Sequence, residues 1–178
     1  MKKLKPNGVK LLKTFHLLFA IMWICGAIAL ILGQYIASPK TGDELYMKVR
    51  MLQIIDDWVV IVGANGCLLT GIIYGIWTNW GLFKHRWLTV KWILTVAQML
   101  FGTFFLGVWL NGNVEIADRL RDAAFSDLHF IHNSQMTNIW GIIQLAFLLL
   151  YIPLSVYKPW KKKKAKIETA YKEDVQKA

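Results

Sequence analysis

Cysteine, histidine and acidic residues are all scarce in this chain. Its 178 residues include two cysteines, four histidines and eleven Asp and Glu. Cys25 and Cys67 both fall within long apolar segments, so we expect no structural disulfide and interpret them as small packing residues. The sequence also lacks HExxH and CxxC, which excludes these compact ligand motifs of metal proteins.

Little of the chain lies outside its apolar segments, so a second domain is not expected. Hydrophobic residues make up 56% of the sequence, which has nine tryptophans and a mean hydropathy of +0.39. Four segments, roughly 11–33, 54–77, 87–110 and 136–157, are about long enough to cross a hydrocarbon core of ~30 Å. The first lacks a small-residue cleavage site, so we interpret it as a retained helix.

These features predict an all-α integral membrane protein. Residues 1–160 would form an antiparallel four-helix bundle, and residues 161–178 a basic cytoplasmic tail. The connections 34–53 and 111–135 are long enough for short helical caps on the outer face. Apolar residues recur at helical spacing in the second connection, which favours an amphipathic cap: Val114, Ala117, Leu120 and Ala124.

The net charge of +10 is distributed as expected for a multi-pass membrane protein. Five of the 21 Lys and Arg precede or enter the first segment, and eight follow the fourth. Basic residues in the connections 34–53 and 111–135 are offset by acidic ones. This positive-inside pattern places both termini and the loop 78–86 in the cytoplasm. Anionic lipid is the partner that the charge indicates, and nucleic acid is not needed to explain it.

Two ionisable residues lie at similar depth near the cytoplasmic ends of their segments. His16 is about five residues into the first segment and Lys91 about four into the third, so they could share one site. A neutral imidazole is a good axial ligand for haem iron, and an ammonium suits a propionate or an anionic substrate. The alternatives are a hydrogen-bonded packing histidine and a lysine that extends to the interface.

Other polar residues gather near the outer ends of the segments. Asp56 and Asp57 open the second segment, and His129 and His132 precede the fourth, so the four could bind a divalent metal. Helix capping and loop hydrogen bonds are the alternative. His85 is expected to be a solvated interfacial residue.

The second and third segments contain several glycines. They indicate either close packing between helices or room for a flat cofactor. These glycines are Gly63, Gly66, Gly71, Gly102 and Gly107.

Two short motifs carry a family resemblance. The stretches KTFHLLFAIMWICG (13–26) and KHRWLTVKWILT (84–95) resemble a family of small, uncharacterised four-helix bacterial membrane proteins. More distantly, they are similar to the HemJ-type protoporphyrinogen oxidases and to CopD membrane domains, which share the pattern of His16, Trp23, Gly26 and Lys91. The resemblance implies haem b as cofactor, with His16 and Lys91 as the functional residues. Unlike HemJ-type chains, this one has no matching polar residues in its later segments and no histidine in its fourth, so a second axial ligand is missing.

Three functional hypotheses follow. The first is a haem b-binding or porphyrin-handling protein with His16 as iron ligand, which would act as an oxidoreductase on a porphyrinogen, carry electrons or sense haem. The second is a structural or accessory membrane protein whose buried polar groups only set helix register. The third is a small metal or proton transporter that uses Asp56, Asp57, Asn65 and the outer histidines. Four spans would line a path only as a dimer, so this hypothesis implies a homo-oligomer.

Overall fold

The computed structural model describes residues 4–78, 81, 83 and 86–157, and within these ranges the secondary structure is entirely helical. The predicted basic tail 161–178 and His85 lie outside the described residues. Two five-residue π-helical turns, Asp56–Val60 and Gly102–Leu106, and one 3₁₀ helix, Arg121–Ser126, join or follow the α-helices. These are α1 (Pro6–Ile36), α2 (Gly42–Ile55), α3 (Ile61–Trp77), α4 (Arg86–Phe101), α5 (Gly107–Leu120) and α6 (Leu128–Tyr157).

Four helical stretches are long and apolar enough to cross a membrane, as the sequence predicts. Their bounds are Pro6–Ile36, Gly42–Trp77, Arg86–Ser126 and Leu128–Tyr157. A spanning helix satisfies all its backbone hydrogen bonds internally, which is why apolar segments of this length form helices in lipid. The fold class is therefore confirmed at the level of an all-helical protein with four candidate spans.

The predicted caps are helical, but they are extensions of the spans and not separate helices. Helix α2 continues through the turn Asp56–Val60 into α3, which makes Gly42–Trp77 a 36-residue helix. Helix α4 likewise continues through Gly102–Leu106 into α5. At ~1.5 Å per residue, 36 residues reach ~54 Å, well beyond a hydrocarbon core of ~30 Å. The excess length projects from the spans and packs as a cap.

The cap has its own apolar core. It is built from α2, α5, the 3₁₀ helix and the start of α6, and its buried members are Leu45, Val49, Val114, Ala117, Ala124 and Phe130. Of the four residues predicted to form the apolar side of the cap, Val114, Ala117 and Ala124 are buried, and Leu120 is partly buried against them.

Hydrogen bonds and one irregular residue set where the cap helices begin and end. The Thr41 side chain accepts a bond from Glu44 N, and Asp127 accepts one from Phe130 N, so these residues cap α2 and α6. Arg121 ends α5 in the left-handed region, at φ 47°. Its guanidinium lies 4.3 Å from the ring centroid of Tyr46, which helps to hold it there.

Helices α1 and α3 pack closely through glycine. A Cβ added at Gly63 would lie 2.6 Å from Trp23 N, and one added at Gly26 would lie 2.8 Å from Val60 Cγ2. Backbones approach this closely only where a side chain is missing. These two glycines therefore serve helix packing. A backbone hydrogen bond of 3.0 Å, from Leu4 N to Trp77 O, places the start of α1 beside the end of α3.

Candidate functional site

His16 is held by a threonine on the neighbouring helix. Its Nδ1 lies 2.9 Å from Thr70 Oγ1, and Thr70 is 8% exposed. The Thr70 hydroxyl donates its proton within α3, over 2.6 Å to Gly66 O. Since a hydroxyl has one proton, we interpret the Thr70 oxygen as the acceptor of this bond, with the hydrogen on Nδ1 of His16. In the neutral ring the lone pair then lies on Nε2, the arrangement typical of a metal-ligating histidine.

Cys67 and Lys91 complete a cluster around this ring. Cys67 Sγ lies 3.8 Å from each of the two ring nitrogens of His16. The Lys91 ammonium lies close enough to interact electrostatically with both residues. Its Nζ donates to Ser155 Oγ over 2.7 Å. The structure thus brings His16 and Lys91, from α1 and α4, into one cluster with α3 and α6, which we call the His16 cluster.

The other two residues of the predicted cofactor site lie farther along α1. Trp23 is 4% exposed and belongs to a second apolar core with Ala64 and Leu148. Gly26 faces the side chains of Val59 and Val60. Seven residues separate Trp23 from His16, about 10 Å along a helix, so neither Trp23 nor Gly26 joins the His16 cluster.

A cavity of about 350 Å³ lies beside that second core, between all four spans. Trp23 and Leu148 form part of its largely apolar wall, and both π-helical turns contribute residues to it. Its polar lining residues are Gln34, Asp56, Asp57, Asn65, Gln98, Thr103, Asn111, Thr137, Asn138 and Gln144. The size and mixed lining are typical of a small-molecule site.

A cation–π contact and two hydrogen bonds connect the His16 cluster with this cavity. Tyr151 contacts the cluster, with Lys91 Nζ 5.9 Å from its ring centroid. The Tyr151 hydroxyl donates to Gln98 Oε1 over 2.5 Å, and Gln98 Nε2 donates to the backbone oxygen of Gln144 over 2.8 Å. Because Gln98 and Gln144 line the cavity, α4 and α6 join the two regions through polar side chains.

The outer residues proposed as metal ligands are not gathered in this way. His129 and His132 are exposed at the start of α6, whereas Asp56 and Asp57 line the cavity. Among the residues that the structure describes, no group of three or more His, Cys, Asp and Glu could hold a metal ion. The geometry therefore gives no support to the outer metal site.

Sequence reasoning missed the partners of both central residues. Thr70, Ser155 and Tyr151 are polar residues common in membrane helices, and no spacing marks them. Threonine and serine can satisfy their own hydroxyls on the preceding turn, as Thr70 and Ser155 do here, so their presence in a span predicts no tertiary partner.

Comparisons of the chain with protein-family models, with curated proteins and with solved structures find no match.

Proposed function

We propose that this protein is a multi-pass membrane protein that binds haem b through Nε2 of His16. The observation that carries the proposal is the hydrogen bond between His16 Nδ1 and Thr70 Oγ1, which leaves the Nε2 lone pair for iron. The motif resemblance to HemJ-type proteins supports the same residue as ligand.

The donor set of the His16 cluster fits this cofactor. His16 would hold the iron, and Lys91 is the cation available to a propionate carboxylate. Ser155 and Tyr151 orient the Lys91 ammonium, and Thr70 orients the imidazole. Bound haem would supply one-electron redox chemistry. His129 and His132 lie in the cap. Among the histidines that the structure describes, His16 is therefore the only candidate for an iron ligand in this cluster.

The proposal includes a membrane orientation. With both termini and the loop 78–86 in the cytoplasm, the four spans form an antiparallel bundle and the cap faces outward across a bacterial inner membrane. The basic residues near the two termini support this orientation. The His16 cluster then lies in the inner half of the bundle.

Absorption spectroscopy tests the haem site. Protein purified from haem-replete cells should show a Soret band, and His16→Ala should lose it. The matched control is His129→Ala, because that histidine is exposed in the cap and should leave the band unchanged. The haem content of each preparation is measured by extracting the haem. This measurement separates a weak Soret band caused by poor haem supply during expression from one caused by loss of the binding site.

Two results would contradict the proposal. One is a wild-type protein that stays colourless after reconstitution with excess haemin. The other is a Soret band of equal height and position in His16→Ala, which would place the iron ligand elsewhere. Lys91→Met should weaken haem binding without shifting the band, because Lys91 pairs with a carboxylate and does not ligate iron.

A further inference from the structure

A gap about the size of a methyl group lies beside His16, at Gly71 of α3. Outside its own stretch of helix, the atoms nearest to a Cβ added at Gly71 would be Trp92 Cη2, at 3.4 Å, and His16 Cε1, at 3.6 Å. Both are ordinary van der Waals distances, so a methyl group would fit there without a clash. At Gly63, by contrast, an added Cβ would lie 2.6 Å from the backbone nitrogen of Trp23. Close packing thus explains Gly63 but does not explain Gly71.

Three helices border this gap, and all three also contribute to the His16 cluster. Helix α3 contributes Gly71, α1 contributes His16, and α4 contributes Trp92, which follows Lys91 in the sequence. The Nδ1 atom of His16 is engaged by Thr70, the residue before Gly71. Because Cε1 is bonded directly to Nε2, the gap lies beside the nitrogen that is left for a ligand.

The backbone at Gly71 does not call for glycine either. The residue lies in the interior of α3, and among the described glycines only Gly81 has a positive φ. Glycine in the interior of a helix is less favourable than alanine. The remaining difference between the two residues at this position is the gap itself.

We infer that Gly71 and Trp92 form the wall of the ligand site at His16 and admit a flat aromatic macrocycle. This inference rests on the proposed haem function and adds two residues to it. Gly71 keeps room for the ligand beside the imidazole, and the indole of Trp92 offers the ligand an aromatic surface on the α4 side of the gap.

Substitutions of increasing size at Gly71 test the inference. Haemin is titrated into haem-free, full-length protein in phosphatidylcholine nanodiscs and followed at the Soret band. Gly71→Ala should weaken binding about 3-fold and Gly71→Leu at least ~10-fold, because each fills more of the gap. The matched controls are Gly141→Ala and Gly141→Leu on α6, where an added Cβ meets nothing within 4 Å, and both should bind haemin as the wild type does.

The stability of the same variants separates a ligand site from a packing role. The thermal unfolding midpoint of haem-free Gly71→Ala should equal or exceed that of the wild type, since the methyl group meets no clash and alanine favours the helix. If haemin affinity and unfolding midpoint fall together, Gly71 serves packing and the inference is wrong. If Gly71→Leu fails to fold, Gly71→Ala still decides the matter.

Two variants test the aromatic surface. Trp92→Phe keeps an aromatic ring and should retain most of the haemin affinity. Trp92→Leu removes the ring and should lower the affinity roughly 2–10-fold, the usual contribution of an aromatic pair. Equal loss in both variants would show that bulk, and not aromatic character, matters at this position, and would overturn the role given to Trp92.

Chemical labelling of haem-free protein gives a readout that does not depend on haem. Diethyl pyrocarbonate transfers an ethoxycarbonyl group to an unprotonated ring nitrogen of histidine, and mass spectrometry of the digest gives the rate for each residue. Gly71→Leu should slow the labelling of His16 at least ~3-fold, because the added side chain fills the space beside the ring. The exposed His129 and His132 should be labelled at unchanged rates in the same digest.

The outcomes keep this inference apart from the haem proposal. Wild-type haemin affinity in both Gly71→Leu and Trp92→Leu would overturn the inference and leave the haem proposal intact. Loss of haemin binding in Gly71→Leu with unchanged labelling of His16 would also overturn it, because the ring would still be within reach. A wild type that binds no haemin would overturn both proposals together.

Discussion

At the scale of single residues, the Thr70 hydroxyl is the side chain that orients the His16 imidazole. The Thr70 hydroxyl also bonds to the backbone of its own helix, so we interpret its oxygen as the acceptor and Nδ1 of His16 as the donor. The spacing of the sequence suggested that His16 and Lys91 lie at one depth. It held no information about Thr70, because the contact depends on how α1 and α3 are rotated about their axes.

Substitution of Thr70 should therefore act through the imidazole. Thr70→Val keeps the shape and removes the acceptor, so haem affinity should fall by roughly 10–100-fold, as for other partners of metal-ligating histidines. Thr70→Ser keeps the hydroxyl and should retain most of the affinity. Haem titration followed at the Soret band measures both. Equal affinity in wild type and Thr70→Val would show that Thr70 does not position the ligand.

At the scale of helices, glycine decides which spans approach closely. Small residues in the second apolar segment were open to two interpretations, close packing or room for a flat cofactor. Gly63 belongs to the first class, because an added Cβ would meet the backbone of α1 at Trp23. Gly141 on α6 is the opposite case, since its face adjoins open space.

Alanine at these two positions should have opposite effects on stability. Gly63→Ala should lower the free energy of unfolding by about 1–3 kcal/mol, because α1 and α3 must move apart. Gly141→Ala meets no neighbour, so it should leave stability unchanged or raise it by about 0.5–1 kcal/mol through better helix propensity. Denaturant titration in mixed micelles measures both. A stable Gly63→Ala would contradict the packing role of that glycine.

At the scale of the whole molecule, two apolar cores lie at different levels along the long helices. One fills the cap, and the other, with Trp23, Ala64 and Leu148, lies among the spans beside the cavity. The extension of α2 and α5 beyond the spans is what allows the cap to have a core. The sequence predicted helices in both connections, but their continuity with the spans follows from the π-helical turns, which periodicity does not mark.

Cysteine labelling tests the proposed orientation. In a background without Cys25 and Cys67, Glu115→Cys should react with a membrane-impermeant maleimide in intact spheroplasts, because the cap is expected to face outward. Lys5→Cys should react only after permeabilisation, since the amino terminus is expected in the cytoplasm. The reverse pattern would overturn the orientation, and reaction of both sites in intact spheroplasts would indicate mixed insertion.

The sequence by itself determined the helical class, the number of candidate spans and the sites where charge accumulates. These depend on local properties, since an apolar segment of membrane length must satisfy its backbone within one helix. The tertiary structure decided which polar side chains meet: His16 with Thr70 and Cys67, and Lys91 with Ser155. It also decided that a cavity with two carboxylates lies between the spans. Packing contacts set how each helix is rotated and tilted against its neighbours, and no single segment contains that information.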